Sequence, residues 1–97
     1  MEKTHENLSS AIISVVGTDH VGIIAKVSSF LAERNINIEE INQTILSGKF
    51  VMMMGVDLRN SVKSVEVLKT ELQVLGDKTN VSINMMHDKV FSAMHRI

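Results

Sequence analysis

The chain has 97 residues, which suits one domain that can bury a core without disulfides or metals. It contains no cysteine, and this excludes disulfides and thiolate metal sites. Ten basic and eleven acidic residues give a formal net charge of −1, without the basic block that nucleic acid requires. No apolar run reaches the roughly 18 to 20 residues that span a bilayer, and the first residues do not resemble a signal peptide. We therefore expect a cytoplasmic protein with neither a nucleic acid nor a membrane as partner.

The first ten residues are polar and mixed in charge, so we expect a mobile tail over 1–10 and a single domain over 11–97. Residues 11–16 are apolar and largely β-branched, with only Ser14 interrupting them. This pattern predicts a central strand that is covered on much of both faces.

A helix is predicted from Val21 to about Arg34, because its apolar residues recur at helical spacing. Asn35 is a plausible end, since asparagine tolerates the left-handed conformation that often follows a helix. The predicted inner face consists of Ile23, Ile24, Val27, Phe30 and Leu31.

A strand is predicted over 37–46, but its apolar phase slips from even-numbered Ile38 to odd-numbered Ile41. One extra residue would return both side chains to one face, so we predict a β-bulge at Glu39 and Glu40. A turn over 47–49 then leads into a strand that alternates clearly. Its wholly apolar face consists of Phe50, Met52, Met54, Val56 and Leu58.

A second helix is predicted to start at Asn60 or Ser61 and to run to about Leu75, with Gly76 as its stop. A last strand follows over 81–86. Residues 88–97 predict a short third helix, which must dock because ten residues are marginal as an isolated helix. Its apolar side would pack on the sheet face that the two long helices leave uncovered, or on a partner subunit.

The order of strand, helix, strand, strand, helix and strand predicts an α+β, ferredoxin-like βαββαβ sandwich. Right-handed crossovers would place both long helices on one face of a four-stranded antiparallel sheet, with the short C-terminal helix added. The other face would carry Val51 and Met53, which is too much apolar surface to leave in water. We therefore expect a dimer.

Several functions of this fold are disfavoured by the residues present. An RNA-binding sheet needs aromatic side chains on its central strands, whereas the chain has only Phe30, Phe50 and Phe91. The four histidines form no i, i+4 pair for zinc, and no spacing indicates paired catalytic carboxylates or a nucleophile with its base. We predict no enzyme activity, no metal site and no cofactor.

The best candidate site is the polar turn between the first strand and the first helix, which reads Gly17-Thr18-Asp19-His20-Val21-Gly22-Ile23. A helix N-terminus presents backbone N–H groups that favour a carboxylate or phosphate. His20 could donate a hydrogen bond to such an anion. The structural alternative is that Asp19 caps the helix while the glycines permit a tight bend.

These residues resemble the ACT domain, a small ligand-binding regulatory module of amino-acid metabolism. The resemblance rests on 17–23, on Val27 with Leu31-Ala32-Glu33, and on Asn35-Ile36-Asn37-Ile38. It is closest to small stand-alone ACT proteins, similar to glycine-cleavage regulators, through Asn42-Gln43-Thr44 and the ending Phe91-Ser92-Ala93-Met94-His95-Arg96-Ile97.

The resemblance implies a homodimer, or a higher oligomer, that binds an amino acid or a similar small anion at its interface. The ligand would contact Asp19, His20, Val21, Gly22 and Ile23 of one subunit and Asn37 and Ile38 of the other. With no enzyme or DNA-binding domain in the chain, the signal would pass to an unidentified regulated protein. The alternative is an interaction protein that uses the same dimer without a physiological ligand.

Overall fold

The computed structural model describes residues 9–18 and 21–89. These residues form six elements: β1 (Ser10–Gly17), α1 (Ile23–Glu33), β2 (Asn37–Leu46), β3 (Lys49–Asp57), α2 (Val65–Thr79) and β4 (Ser82–His87). Most of the predicted tail, and residues 90–97 of the predicted third helix, lie outside the described residues. Asp88 and Lys89 are helical directly after β4.

The four strands form one antiparallel sheet in the order β2-β3-β1-β4. The predicted ferredoxin-like α+β fold is therefore confirmed, and β1 is a central strand as its composition predicts. Because β1 and β2 both run antiparallel to β3, they run parallel to each other, with the ends of both strands at the same end of the sheet.

The core lies between one face of the sheet and the two helices. Ile13 and Val15 of β1 and Met52 and Met54 of β3 are fully buried there. The helices contribute buried apolar residues at helical spacing, namely Ile23, Val27, Phe30 and Leu31 from α1 and Leu68 and Leu72 from α2. Both helices thus cover the same sheet face, as right-handed crossovers require.

The β-bulge in β2 is confirmed. Ile38 lies opposite Val56 of β3 and Glu40 lies opposite Gly55, so Glu39 is the extra residue. The bulge brings Ile41 opposite Met54, on the helix side of the sheet with Ile38. The extra residue, Glu39, thus places Ile38 and Ile41 on the same face of the sheet.

The hairpin between β2 and β3 is tighter than the predicted three-residue turn. Leu46 pairs with Lys49, so only Ser47 and Gly48 form the turn. Both have positive φ, of 52° and 78°, which matches the right-handed twist of the flanking strands. Asn35 also has a positive φ, of 61°, directly after α1, which confirms it as the helix end.

The predicted bounds of the second helix are wrong at both ends. Ser64 is its N-cap and accepts a hydrogen bond from Val67 N at 3.3 Å, whereas the Ser61 hydroxyl accepts one from Lys63 N in the preceding loop. At the other end the helix continues through Gly76 to Thr79, and Asn80 provides the left-handed cap with a φ of 62°. The Ser61 hydroxyl forms hydrogen bonds within this loop and therefore does not cap the helix. This explains why the helix starts later than predicted.

Candidate functional site

The turn between β1 and α1 ends in a left-handed glycine. Gly22 has φ 74° and ψ −2° and is the N-cap of α1, and its carbonyl accepts a hydrogen bond from Lys26 N at 3.1 Å. The N-cap position is thus Gly22 and not Asp19. Asp19 and His20 lie outside the described residues, so their predicted roles are not placed by the structure.

Gly17 serves a different purpose from Gly22. It is the last residue of β1, and a Cβ added there would lie 2.6 Å from Val81 Cγ1. Glycine is therefore needed at this position because Val81, directly before β4, packs closely against it. The tight bend that the sequence suggests is not the reason.

The N-terminus of α1 carries the partial positive charge of its first backbone N–H groups. Within residues 9–18 and 21–89, no side chain caps it and no acidic side chain lies in its first turn. Among the residues that the structure describes, no atom lies within 4 Å of a Cβ added to Gly22. Backbone N–H groups at a helix N-terminus carry a partial positive charge, which favours a bound anion.

A small cleft of about 180 Å³ lies beside this turn and is lined by Val21, Ile23, Lys26 and Thr79. Lys26 is one helical turn after Gly22 and adds a full positive charge near these N–H groups. Lys26 is not among the candidate site residues predicted from the sequence. The available signal was its i+4 spacing from Gly22.

The predicted apolar site residues differ in their exposure. Val21 is 86% exposed, whereas the Ile23 side chain is only 2% exposed and packs in the core. Only the backbone of Ile23 can therefore face a ligand. Ile38 is half-buried against the core, opposite Val56.

Asn37 lies far from the turn within one chain. It is exposed, begins β2 and pairs with Asp57. Gly22 and Asn37 flank opposite ends of α1, whose 11 residues correspond to a length of about 16 Å. A single subunit therefore does not bring Asn37 to the helix N-terminus.

The outer strand β2 exposes apolar side chains. Ile41 is 39% exposed and Ile45 is 59% exposed, although both lie on the helix side of the sheet, opposite Met54 and Phe50. Leu46 at the end of the strand is 60% exposed. An edge strand with this much apolar surface is typical of a protein interface.

A larger cleft, of about 520 Å³, lies at the other edge of the sheet, between α2 and β4. Its polar lining includes Lys69, Asp77 and Asn84. It does not include any predicted site residue.

Within the described ranges, no three His, Cys, Asp or Glu residues are placed to hold a metal ion. Of the helices in that same part of the chain, none is both long and apolar enough to cross a membrane.

Comparison with known proteins identifies the family. The ACT domain family matches residues 9–86. A UPF0237 protein of Clostridium acetobutylicum is 51% identical over 90% of this chain and 98% of its own length.

Solved structures agree with this match. An ACT domain protein from Streptococcus pneumoniae superposes with a TM-score of 0.78 at 39% identity, covering 92% of this chain and all of that one. A chain described as a glycine cleavage system transcriptional repressor has a TM-score of 0.70 at 19% identity, covering 84% of this chain and 49% of its own, and this likeness concerns the fold alone. The chain belongs to the ACT domain family of small regulatory ligand-binding modules, and its relatives include the UPF0237 proteins.

Proposed function

We propose that the protein is a homodimeric regulatory module that binds an amino acid or a similar small anionic metabolite between its subunits. In this proposal the ligand changes how the dimer contacts a separate regulated protein. The observation that supports it is the exposed apolar edge of β2 at Ile41 and Ile45, which a second copy of the chain would cover. Gly22 and Asn37 lie at opposite ends of α1, so a site that contains both residues would need two chains.

Two-fold pairing along β2 would complete the site. In such an antiparallel arrangement the beginning of one β2 lies beside the end of the other. Because β1 and β2 run parallel, the turn after β1 is at the end of the sheet that carries Leu46. Asn37 of one subunit would therefore approach Gly22 of its partner. The same pairing would bury Ile41 and Ile45, which are otherwise exposed.

The chemistry of these groups suits an amino acid. The N-terminal N–H groups of α1 and the Lys26 ammonium would stabilise a carboxylate, while the Asn37 amide can donate to and accept from polar groups of the ligand. The cleft of about 180 Å³ beside the turn suits a small ligand rather than a nucleotide.

The proposal is tested by thermal-shift screening of the amino acids and small carboxylates, followed by calorimetry on any hit. A ligand present at 100 times its dissociation constant stabilises the folded state by about 2.7 kcal/mol. A dimer that responds to no compound in the panel would instead support an interaction protein without a physiological ligand.

Gly22→Asp and Gly22→Ala form a matched pair for locating the site. Both place a side chain at a positive φ, so both carry the same kind of backbone strain. Only Gly22→Asp adds a negative charge where the carboxylate would lie. We expect Gly22→Asp to lose measurable binding and Gly22→Ala to retain more of it, with circular dichroism reporting the folding of each. Equal affinity in wild type and Gly22→Asp would place the site elsewhere.

A further inference from the structure

The sheet face opposite the helices carries an apolar patch, which we name the open face. Its apolar members are Ile12, Val16, Val51, Met53 and Met86, all half-buried and all outside the core cluster. The strand register places them together: Val16 lies opposite Val51, and Ile12 lies between Met86 and Gly55. Neither helix covers this face.

The row of the open face nearest the end of β4 is apolar on one side only. It runs from Met86 through Ile12 to Gly55 and then to Glu40. The Glu40 side chain lies over Gly55, because a Cβ added to Gly55 would lie 3.2 Å from Glu40 Cγ and 3.6 Å from Glu40 Oε2. The apolar part of the row is therefore Met86 and Ile12, on β4 and β1.

The chain leaves the sheet beside this row. His87, the last residue of β4, lies opposite Ala11, one position from Ile12. Asp88 and Lys89 then begin a helix without a connecting loop. The next apolar residues are spaced as on one face of a helix, and they are Val90, Phe91, Met94 and Ile97.

The length of this segment matches the width of the sheet. A helix over residues 88–97 would be about 15 Å long. Crossing from β4 to β2 spans three strand spacings, or about 14 Å. On the helix side of the sheet, the part formed by β1 and β4 needs no such cover, because Ala11, Ile13 and Met85 there are at most 8% exposed.

We propose that residues 90–97, the C-terminal segment, lie across the open face of their own chain, with Phe91 against the patch near Ile12 of β1. This arrangement buries the patch within one subunit. The β2 edge then stays available for contact with a second copy of the chain. The proposed position of the C-terminal segment therefore does not depend on ligand binding.

Crosslinking in the full-length chain tests this contact. Because the chain contains no cysteine, only the introduced thiols can react with the crosslinker. Ser14 of β1 lies on the open face opposite Met53, whereas Ala25 is exposed on α1, on the other side of the sheet. The variant Ser14→Cys with Met94→Cys should form an intramolecular crosslink with a short bismaleimide. The control, Ala25→Cys with Met94→Cys, should form none.

Electrophoresis and peptide mapping distinguish the outcomes. A crosslinked dimer from the Ser14 pair would show that a second copy occupies the face, and equal crosslinking of both pairs, or of neither, would show that the segment is elsewhere. Each of these results overturns the proposal.

A second pair of variants removes the contact without cysteines. Phe91→Asp should raise the fluorescence of a hydrophobic dye several-fold, because it releases the segment from the patch. Lys89→Gln, which also lowers the net charge by one unit but at an exposed position, should change the fluorescence little. Equal dye fluorescence in the two variants would contradict the proposed contact between Phe91 and the patch.

Discussion

Arg34, directly after α1, contacts both Phe30 of α1 and Glu71 of α2. Its guanidinium lies 3.6 Å from the centre of the Phe30 ring, its Nε donates to Glu71 Oε1 at 2.8 Å, and one terminal nitrogen donates to the Phe30 carbonyl at 2.9 Å. The Arg34 side chain is only 19% exposed. Arg34 is partly buried, and its planar guanidinium stacks on the Phe30 ring while it donates hydrogen bonds. We therefore expect the Arg34–Glu71 pair to stabilise the fold more than an exposed surface ion pair does.

This contact predicts a pH-dependent stability. The hydrogen bond from Arg34 holds the pKa of Glu71 below its ordinary value of 4.5. A depressed folded-state pKa means that the unfolded chain binds more protons, so the contribution is fully present above that ordinary value and is lost as the pH falls through the folded pKa. Glu71→Gln should therefore be less stable than wild type at neutral pH, with the difference shrinking in acid.

Urea unfolding from neutral pH down to about pH 3 measures this difference. The control is Glu71→Gln in an Arg34→Met background, where the substitution should have little pH-dependent effect because the main partner is absent. The same pH-dependent loss in both backgrounds would contradict the assigned cause.

Residue-level prediction succeeded where backbone conformation depends on residue type. Asn35 has the positive φ that its position after a helix predicts. The contribution of Lys26 was missed because a lysine on the polar side of a helix is ordinary. Only the position of Gly22 as N-cap makes its i+4 neighbour relevant.

At the scale of elements, Gly76 shows how packing overrides local preference. Sequence reasoning treats it as a helix stop, yet it lies inside α2. A Cβ at this position would lie 2.7 Å from the Val81 carbonyl oxygen and 3.3 Å from Ile83 N. Glycine allows α2 to approach the backbone at the start of β4.

Gly76→Ala should therefore destabilise the protein, even though alanine is favoured over glycine by about 1 kcal/mol within a helix. The clash is with backbone atoms, so we expect a net loss of about 1 to 3 kcal/mol in the free energy of unfolding. Gln73→Ala, at an exposed position one turn earlier, is the control and should change stability little. Chemical denaturation measures both, and a stabilised Gly76→Ala would refute the close approach.

The bulge in β2 was predictable because a strand has a side-chain period of two, and the change in phase from Ile38 to Ile41 requires one extra residue. The bounds of α2 were not predictable by the same means. Ser61 and Ser64 are both acceptable caps, and Gly76 is an acceptable stop. Only the position of β4 and the loop hydrogen bonds of Ser61 decide between them.

At the scale of the whole molecule, the order of elements was sufficient to predict the fold, because few topologies fit strand, helix, strand, strand, helix and strand. The site is different. Its proposed halves are separated by the length of α1, so spacing along one chain does not indicate that they meet. The exposed Ile41 and Ile45 on β2 supply the structural reason to expect a second subunit.

Mixing two variants tests the shared site most directly, once a ligand is identified. Gly22→Asp disables the turn and Asn37→Ala disables the other half, so each homodimer alone should bind no ligand. After the subunits are exchanged by mild denaturation and refolding, each heterodimer contains one site that carries neither substitution. Calorimetry should then recover about a quarter of the wild-type number of sites at wild-type affinity. No recovery in a sample shown by mass spectrometry to contain heterodimers would contradict a site built from two chains.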